Sequence, residues 1–287
     1  MMERALEGRT ALVTGGGTGI GLGIARRLLE AGARVTLAAR RSDVLEAAAE
    51  ALRTEIEAAE VGTVVCDVTD EEQIAAAVAQ AGDADGQLDV AVANAGSGAP
   101  GPILALAPEA WRFANDLNIL GSALTIKHAG LAMQRRGGSI VAISSVEAFK
   151  IAKYMAPYTV TKAALEALVR CAALELAVFG IRVNCIQPGY VPTEALDLAF
   201  DAEDVRELVA ITPLGRAGRA EQIGDAAVYF SSASGGWVTG QVLAVDGGMA
   251  LPEGVSFEKL CRKIYGDEVM DSCVGPRPPR DTSAEGG

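Results

Sequence analysis

The stretch Thr10-Ala11-Leu12-Val13-Thr14-Gly15-Gly16-Gly17-Thr18-Gly19-Ile20-Gly21 decides the fold of this chain. Its first five residues are apolar or β-branched, the make-up of a strand covered on both faces. The glycines that follow allow a tight turn and let the backbone come close to a ligand. From Gly19 to Glu30 the pattern reads as a helix. A helix that starts there offers unpaired N–H groups and a positive dipole end, where a pyrophosphate fits. The glycines follow a Gly-x3-Gly-x-Gly spacing, at Gly15, Gly19 and Gly21, rather than GxGxxG. Their place between a strand and a helix, at the head of an alternating pattern, favours nucleotide binding over a bare turn.

The alternation continues outward. Further strands are expected at Arg34–Ala38, Thr63–Cys66, Leu88–Ala93, Ser139–Ile143, Arg182–Gln187 and Val242–Val245. Helices are expected near Asp43–Ala59, Asp70–Gln80, Pro108–Arg135, Pro157–Phe179 and Ala220–Ser231. Asp43 with Glu46, and Thr69 with Glu72, have capping-box spacing, and Gly32 and Gly180 fall where helices end. Such alternation implies an α/β fold with a parallel sheet and right-handed crossovers. Residues 1–250 read as one domain, followed by an extension over 251–287.

The bulk properties narrow the function. Of 287 residues, half are hydrophobic and 5% aromatic, enough for a large aliphatic core. With 25 basic and 37 acidic residues the formal charge is −12, which disfavours nucleic acid as a partner. Cys66, Cys171, Cys185, Cys261 and Cys273 form no CxxC pair, and His128 is the only histidine, so neither a disulfide framework nor a metal site is expected. His128 reads as a surface or packing residue. The start of the chain has no secretory apolar region and no run is long enough to span a membrane, so a cytoplasmic protein without membrane attachment is expected.

The second strand ends Ala38-Ala39-Arg40-Arg41. An acid there would grip a ribose 2′-hydroxyl, whereas arginine matches a 2′-phosphate. NADP(H) is therefore favoured, with NAD(H) possible. Further on, Tyr158 and Lys162 stand four residues apart, on one helix face. A cation beside a phenol favours the phenolate, so Tyr158 is expected below its ordinary range and able to exchange a proton with a carbonyl oxygen. Ser144-Ser145 and Asn94-Ala95-Gly96 end strands, where open sheets bind ligands. Asn118 lies inside a long helix, a poor place for asparagine without a reason.

Together these residues resemble the short-chain dehydrogenase/reductase family, of the simple type without a large substrate domain. The resemblance runs from about Gly8 to Met249 and includes Asp67 and the run Pro188-Gly189-Tyr190-Val191-Pro192-Thr193. It implies a single doubly wound Rossmann-type domain, with a seven-stranded parallel sheet and helices on both faces. By the same resemblance, Gly15, Gly17, Thr18, Gly19 and Ile20 meet the cofactor pyrophosphate, and Asp67 and Val68 the adenine. Asn94 lines the cofactor, and Val191 and Thr193 meet the carboxamide. Tyr158 is then the acid–base, Ser145 holds the substrate oxygen, Lys162 binds ribose hydroxyls, and Asn118 supports a proton-relay water. The activity implied is hydride transfer between nicotinamide and a secondary alcohol or ketone. Departures are Ala93 before Asn94, Gln187 before Pro188, and Glu147, which reads equally as a solvated charge or a substrate contact.

Two alternatives are weighed. A sugar-nucleotide epimerase or dehydratase needs more chain after Ala250. A non-catalytic NADP(H)-binding sensor or regulator does not need the intact Ser145–Tyr158–Lys162 set. The substrate is left open among 3-oxoacyl thioesters, steroids and sugars, with Glu194–Ala210 expected to close over it and its apolar residues favouring an apolar substrate. The long helices imply a homotetramer or homodimer by the same resemblance. In the extension, Phe257, Leu260, Cys261 and Ile264 have helical spacing, so Phe257–Tyr265 is expected to be a helix docked either near the substrate opening or on a neighbouring subunit, and Gly275–Arg280 extended or disordered.

Overall fold

The computed structural model describes residues 4–251 and 255–273; the Gly275–Arg280 expectation lies outside them. Seven strands form one sheet: β1 (Thr10–Thr14), β2 (Arg34–Ala39), β3 (Val61–Val65), β4 (Val90–Ala93), β5 (Gly138–Ile143), β6 (Ile181–Pro188) and β7 (Val242–Val245). Their order is β3-β2-β1-β4-β5-β6-β7 and every pairing is parallel. The order reverses between β1 and β4, so the crossovers on either side diverge there and leave a cleft at the strands' carboxyl ends.

Alternation along each strand builds two cores. Val13, Val35, Val92 and Val141 face α1 (Gly19–Glu30), α2 (Ser42–Glu55) and a later helix, Ala220–Ser231, through Ile24, Leu28, Leu52, Ile223 and Phe230. Leu12, Ala38, Ala91 and Ile140 face the opposite way, toward Ile74 and Val78 of α3 (Glu71–Ala81), and toward Met133 and Leu165 on the helices after β4 and β5. Adjacent residues of β1 thus serve opposite layers, as period-two geometry requires.

Three local expectations are corrected. The carboxylate of Asp70, not the Thr69 hydroxyl, caps α3, accepting from the backbone N–H groups of Glu72 and Gln73 at 3.0 and 3.1 Å. Thr69 is already committed, donating to Asp67 at 2.8 Å. At α2, Asp43 lies inside the first turn, and Glu46 accepts from the Thr63 hydroxyl at 3.1 Å instead of closing a box. The expected single helix from Pro108 to Arg135 is α4 (Pro108–Asn115), a π segment (Asp116–Leu120) and α5 (Gly121–Met133). π segments are rare and concentrate at functional sites.

After β5 comes α6 (Ala156–Leu176), which ends at Gly180 in the left-handed region. After β6 come α7 (Glu194–Asp197), α8 (Ala202–Ala210) and α9 (Ala220–Ser231). The extension forms α10 (Glu258–Tyr265) and α11 (Asp267–Cys273). Helix α10 occupies the expected place, but it packs chiefly against α11 rather than on the domain, with Phe257, Leu260 and Ile264 exposed. Arg262 joins the two helices, donating to Glu258, Asp267 and Asp271. None of the described helices is long and apolar enough to cross a membrane. His128 is half-buried beside Glu71, its Nε2 3.1 Å from the carboxylate.

Candidate active site

The residues singled out from sequence line the carboxyl edge of the sheet. Gly15 and Gly19 have φ of 65° and 52°, where a side chain is strained. Thr18 precedes α1 without capping it through its side chain, so the first N–H groups of that helix are left for another acceptor. A Cβ on Gly21 would lie 2.1 Å from the Gly15 carbonyl, so the turn closes only with glycine there. Gly17 abuts Val44 of α2, and Ile20 packs on the first core. This bare-backbone cradle at an uncapped helix start fits a dinucleotide pyrophosphate.

Asn94 is spent on the turn itself. Its side-chain N–H groups donate to the Thr14 and Gly15 carbonyls at 2.9 and 3.2 Å, and its backbone N–H to the Thr14 hydroxyl at 3.0 Å. It shapes the cradle more than it lines it. At the far end, Asp67 is held below the usual carboxylate range by the Thr69 backbone N–H and hydroxyl, with the Arg40 guanidinium adding to the effect. Arg40 and Arg41 are exposed, and Val68 is buried against Gly121 of α5. Val191 points into the core, which leaves only its backbone for a ligand. Thr193 caps α7 and lies against Gly19, whose Cβ position is 2.9 Å from the Thr193 methyl, so the segment after β6 meets the glycine turn.

The Ser145, Tyr158 and Lys162 group is built around α6. Ser145 lies two residues beyond β5, and its Oγ accepts from the Glu147 backbone N–H at 3.2 Å. It stands beside the Tyr158 phenol and favours its ionised form. Lys162 is buried, its Nζ 5.5 Å from the Tyr158 ring centre and donating to the Ile143 carbonyl at 2.8 Å. The sequence-based expectation for Tyr158 is reversed. Burial pushes the phenol up to about 12, with Ser145 opposing and the Glu147 charge adding. Burial likewise brings the Lys162 ammonium down to about 8. Spacing on a helix sets proximity but not desolvation, and here desolvation is the larger effect.

Asn118, fully buried in the π segment, is held on three sides. It accepts from Ser97 N–H at 3.0 Å and donates to the Ser97 carbonyl at 3.0 Å and the Thr161 hydroxyl at 2.9 Å. Thr161 in turn donates to the Tyr158 carbonyl at 2.9 Å. A Cβ on Gly96 would come within 3.0 Å of Asn118 Oδ1 and 3.1 Å of Lys162 Nζ, so Gly96, Asn118 and Lys162 converge.

Sequence reasoning passed over Glu166. Its Oε1 accepts from Ser144 at 2.9 Å and Gln187 at 2.6 Å, while Ser144 also faces the Lys162 carbonyl at 3.2 Å. This carboxylate ties the ends of β5 and β6 to the helix carrying Tyr158. Its place one turn beyond Lys162 was the available signal.

The comparisons agree with this geometry. A family model described as enoyl-(acyl carrier protein) reductase matches residues 15–250. The cis-4-hydroxycyclohexanecarboxylate dehydrogenase of Sinomonas cyclohexanicum is 38% identical, covering 86% of this chain and 98% of its own. The L-tagatose-forming galactitol 2-dehydrogenase of Cereibacter sphaeroides is 36% identical over 85% of this chain and 95% of its own. Among solved structures, a short-chain type dehydrogenase/reductase from Mycobacterium ulcerans is 36% identical with a TM-score of 0.82, covering 92% of this chain and 98% of its own. A Pseudomonas aeruginosa NADP active-site complex is 30% identical with a TM-score of 0.80, covering 87% and 98%. On the fold, the strand-end site and these matches, the chain belongs to the short-chain dehydrogenase/reductase family and is an oxidoreductase of alcohol and carbonyl groups.

Proposed function

We propose that Tyr158 is the general acid in carbonyl reduction and the general base in alcohol oxidation, with NADP(H) as the favoured cofactor and NAD(H) as the alternative. The observation that carries this is the placement of the Tyr158 phenol beside Ser145 and of the buried Lys162 Nζ 5.5 Å from the Tyr158 ring, set at the same sheet edge as the glycine turn. The nicotinamide, when bound, supplies or accepts the hydride. Ser145 is oriented by the Glu147 N–H, which leaves its own proton to hold the substrate oxygen beside the phenol. Tyr158, protonated at neutral pH, gives that oxygen a proton in reduction. Lys162 and Asn118 form the inner end of the path by which Tyr158 is reprotonated. Thr18 and the N–H groups of α1 would hold the pyrophosphate, with Asp67 at the adenine end.

Arg40 is assigned to the 2′-phosphate. The Arg40→Asp variant replaces attraction with repulsion, and charge-assisted hydrogen bonds of roughly 1.5–3 kcal/mol correspond to about a ten- to hundredfold loss. NADPH affinity is expected to fall by that factor while NADH affinity changes little, as read by titrating both cofactors. A wild-type preference for NADH overturns the assignment.

Assembly is proposed as a homotetramer or homodimer. Leu131 on α5, with Val160 and Leu174 on α6, are exposed apolar residues of the two long helices, and symmetric closure is the usual way such faces are covered. Light scattering is expected to give a multiple of the 29.5 kDa chain, and a monomer contradicts it. A reducing compartment, the cytoplasm, suits five unpaired cysteines.

A further inference from the structure

Two carboxyl groups lie near the reacting residues. Glu147 is on the short 3₁₀ turn Val146–Ala148, and its Oε2 is sealed from solvent without a partner, so it is no solvated charge. Glu166 is the bonded one. Tyr158, Lys162 and Glu166 follow at i, i+4 and i+8 on α6, which places them along one helix face. The Glu166 Oε1 accepts from the Ser144 hydroxyl at 2.9 Å and from the Gln187 amide at 2.6 Å. Ser144 and Gln187 are both buried. The Gln187 that departs from the family pattern before Pro188 thus has its partner in Glu166.

The bridge stands where two strands part. Strands β5 and β6 stay in register up to Ile143 and Ile186, and a final backbone bond runs from the Ser144 N–H to the Ile186 carbonyl at 2.8 Å. Beyond it Ser145 turns away, its carbonyl accepting from the Ala148 N–H at 3.0 Å. Pro188 has no N–H to give, and Gly189 donates to Val245 of β7 at 3.2 Å. One branch carries Ser145. The other runs through Val191 to Thr193, which lies against Gly19 of the glycine turn. The Glu166 carboxylate pins both branches to the helix that carries Tyr158 and Lys162, at the level where their backbone pairing ends.

We propose that Glu166 is a positioning residue for hydride transfer: through Ser144 and Gln187 it fixes the branch that carries Ser145 and the branch that carries Val191 and Thr193 against the acid–base helix. This rests on the dehydrogenase reading above. On that reading the reacting carbon is held from the Ser145 and Tyr158 side, and the nicotinamide from the side of Val191 and Thr193. The distance between them then depends on how firmly the two branches are joined, and a misplacement of about 1 Å can cost about 10²-fold in rate. A carboxylate oxygen only accepts, so it takes both bonds without offering a competing donor. An amide oxygen in the same place can accept both as well. Alanine takes the acceptor from both donors and leaves the Ser144 hydroxyl only the longer contact, to the Lys162 carbonyl at 3.2 Å.

The test uses the full chain with Glu166→Ala, Glu166→Gln and Gln187→Leu. Hydrogen exchange, which needs no cofactor, is expected to speed up by about tenfold or more over 144–149 and 187–193 in Glu166→Ala, with β1 and β2 unchanged. Single-turnover reduction of cyclohexanone, 2-butanone and ethyl acetoacetate by NADPH and its C4-deuterated form reads the hydride step. Glu166→Ala is expected to slow that step by about 10- to 100-fold, while substrate KM and NADPH affinity stay within about threefold. Glu166→Gln is expected to restore most of the rate and of the protection. Gln187→Leu removes one arm of the bridge and is expected to show the same defects to a smaller degree, which carries the test if Glu166→Ala does not fold. Wild-type hydride rates and exchange in Glu166→Ala and Gln187→Leu overturn the inference. So does a rate loss that matches the fraction unfolded, with exchange raised across the whole sheet, and so does a Glu166→Gln as slow as Glu166→Ala. A wild type that reduces none of the ketones, with the local exchange difference present, overturns the dehydrogenase reading, and with it the role in hydride transfer, but not the bridge.

Discussion

Replacing Tyr158 by phenylalanine is expected to lower turnover by at least about 10²-fold, the scale of lost general acid–base catalysis, while cofactor affinity and thermal stability stay close to wild type. The hydroxyl is the only atom removed. It stands beside Ser145, whose bond from the Glu147 N–H is unaffected. The ring remains on α6 near Lys162. The pH dependence follows from the same group. With the phenol raised to about 12, it is protonated throughout the neutral range. Reduction uses that form and needs no ionisation. Oxidation needs the phenolate, whose fraction grows tenfold per pH unit below the pKa. The oxidation rate is therefore expected to climb from about pH 6 to about pH 9 without a plateau, while reduction shows no such rise. Deprotonation of Lys162 near 8 removes a buried charge in the same interval. Stopped-flow rates in both directions check this. Near-normal turnover in Tyr158→Phe excludes Tyr158 as the acid–base.

Much of this arrangement was legible because its signals are local. The β1 run, the glycine turn and the helix after it carry their own geometry, and the alternation that follows leaves few topologies open. Helix starts were read less well, since capping is settled by competition: Thr69 had suitable spacing, but Asp67 took its hydroxyl and left the N–H groups of α3 to Asp70. Asn118 was rightly suspected in a helix interior. What could not be read was that Ser97 and Thr161, distant in sequence, satisfy it across a π segment. The Tyr158–Lys162 spacing foretold a pair but not its tuning, because desolvation depends on everything packed around α6. The apolar stripe of α10 foretold a helix, and within the chain it packs chiefly on α11, joined to it by the Arg262 ion pairs.

Substituting alanine for Gly21 is expected to abolish binding of either cofactor within the range of a titration, a loss of about 10²-fold or more, and to destabilise the fold by roughly 1–3 kcal/mol, the usual cost of forcing atoms into a packed site. The new methyl would stand 2.1 Å from the Gly15 carbonyl oxygen and 2.5 Å from the Asn94 side-chain nitrogen. Neither neighbour is the loose end of a flexible side chain. The carbonyl belongs to the turn, and the Asn94 amide is anchored on Thr14 and Gly15 at 2.9 and 3.2 Å. Relief therefore requires the turn and the start of α1 to move apart, which dismantles the cradle and draws Asn94 away from β1. Gly62→Ala is the control. It lies in β3 without a positive φ, and its Cβ would meet only the Thr36 hydroxyl, at 3.8 Å. There alanine makes an ordinary contact, and the lower entropy of the unfolded chain favours it slightly. Cofactor titration and thermal melts on the two variants separate a steric cause from a general intolerance of added bulk. If Gly21→Ala bound NADPH as the wild type does, the close packing of Gly15, Gly21 and Asn94 would not be what forms the phosphate cradle.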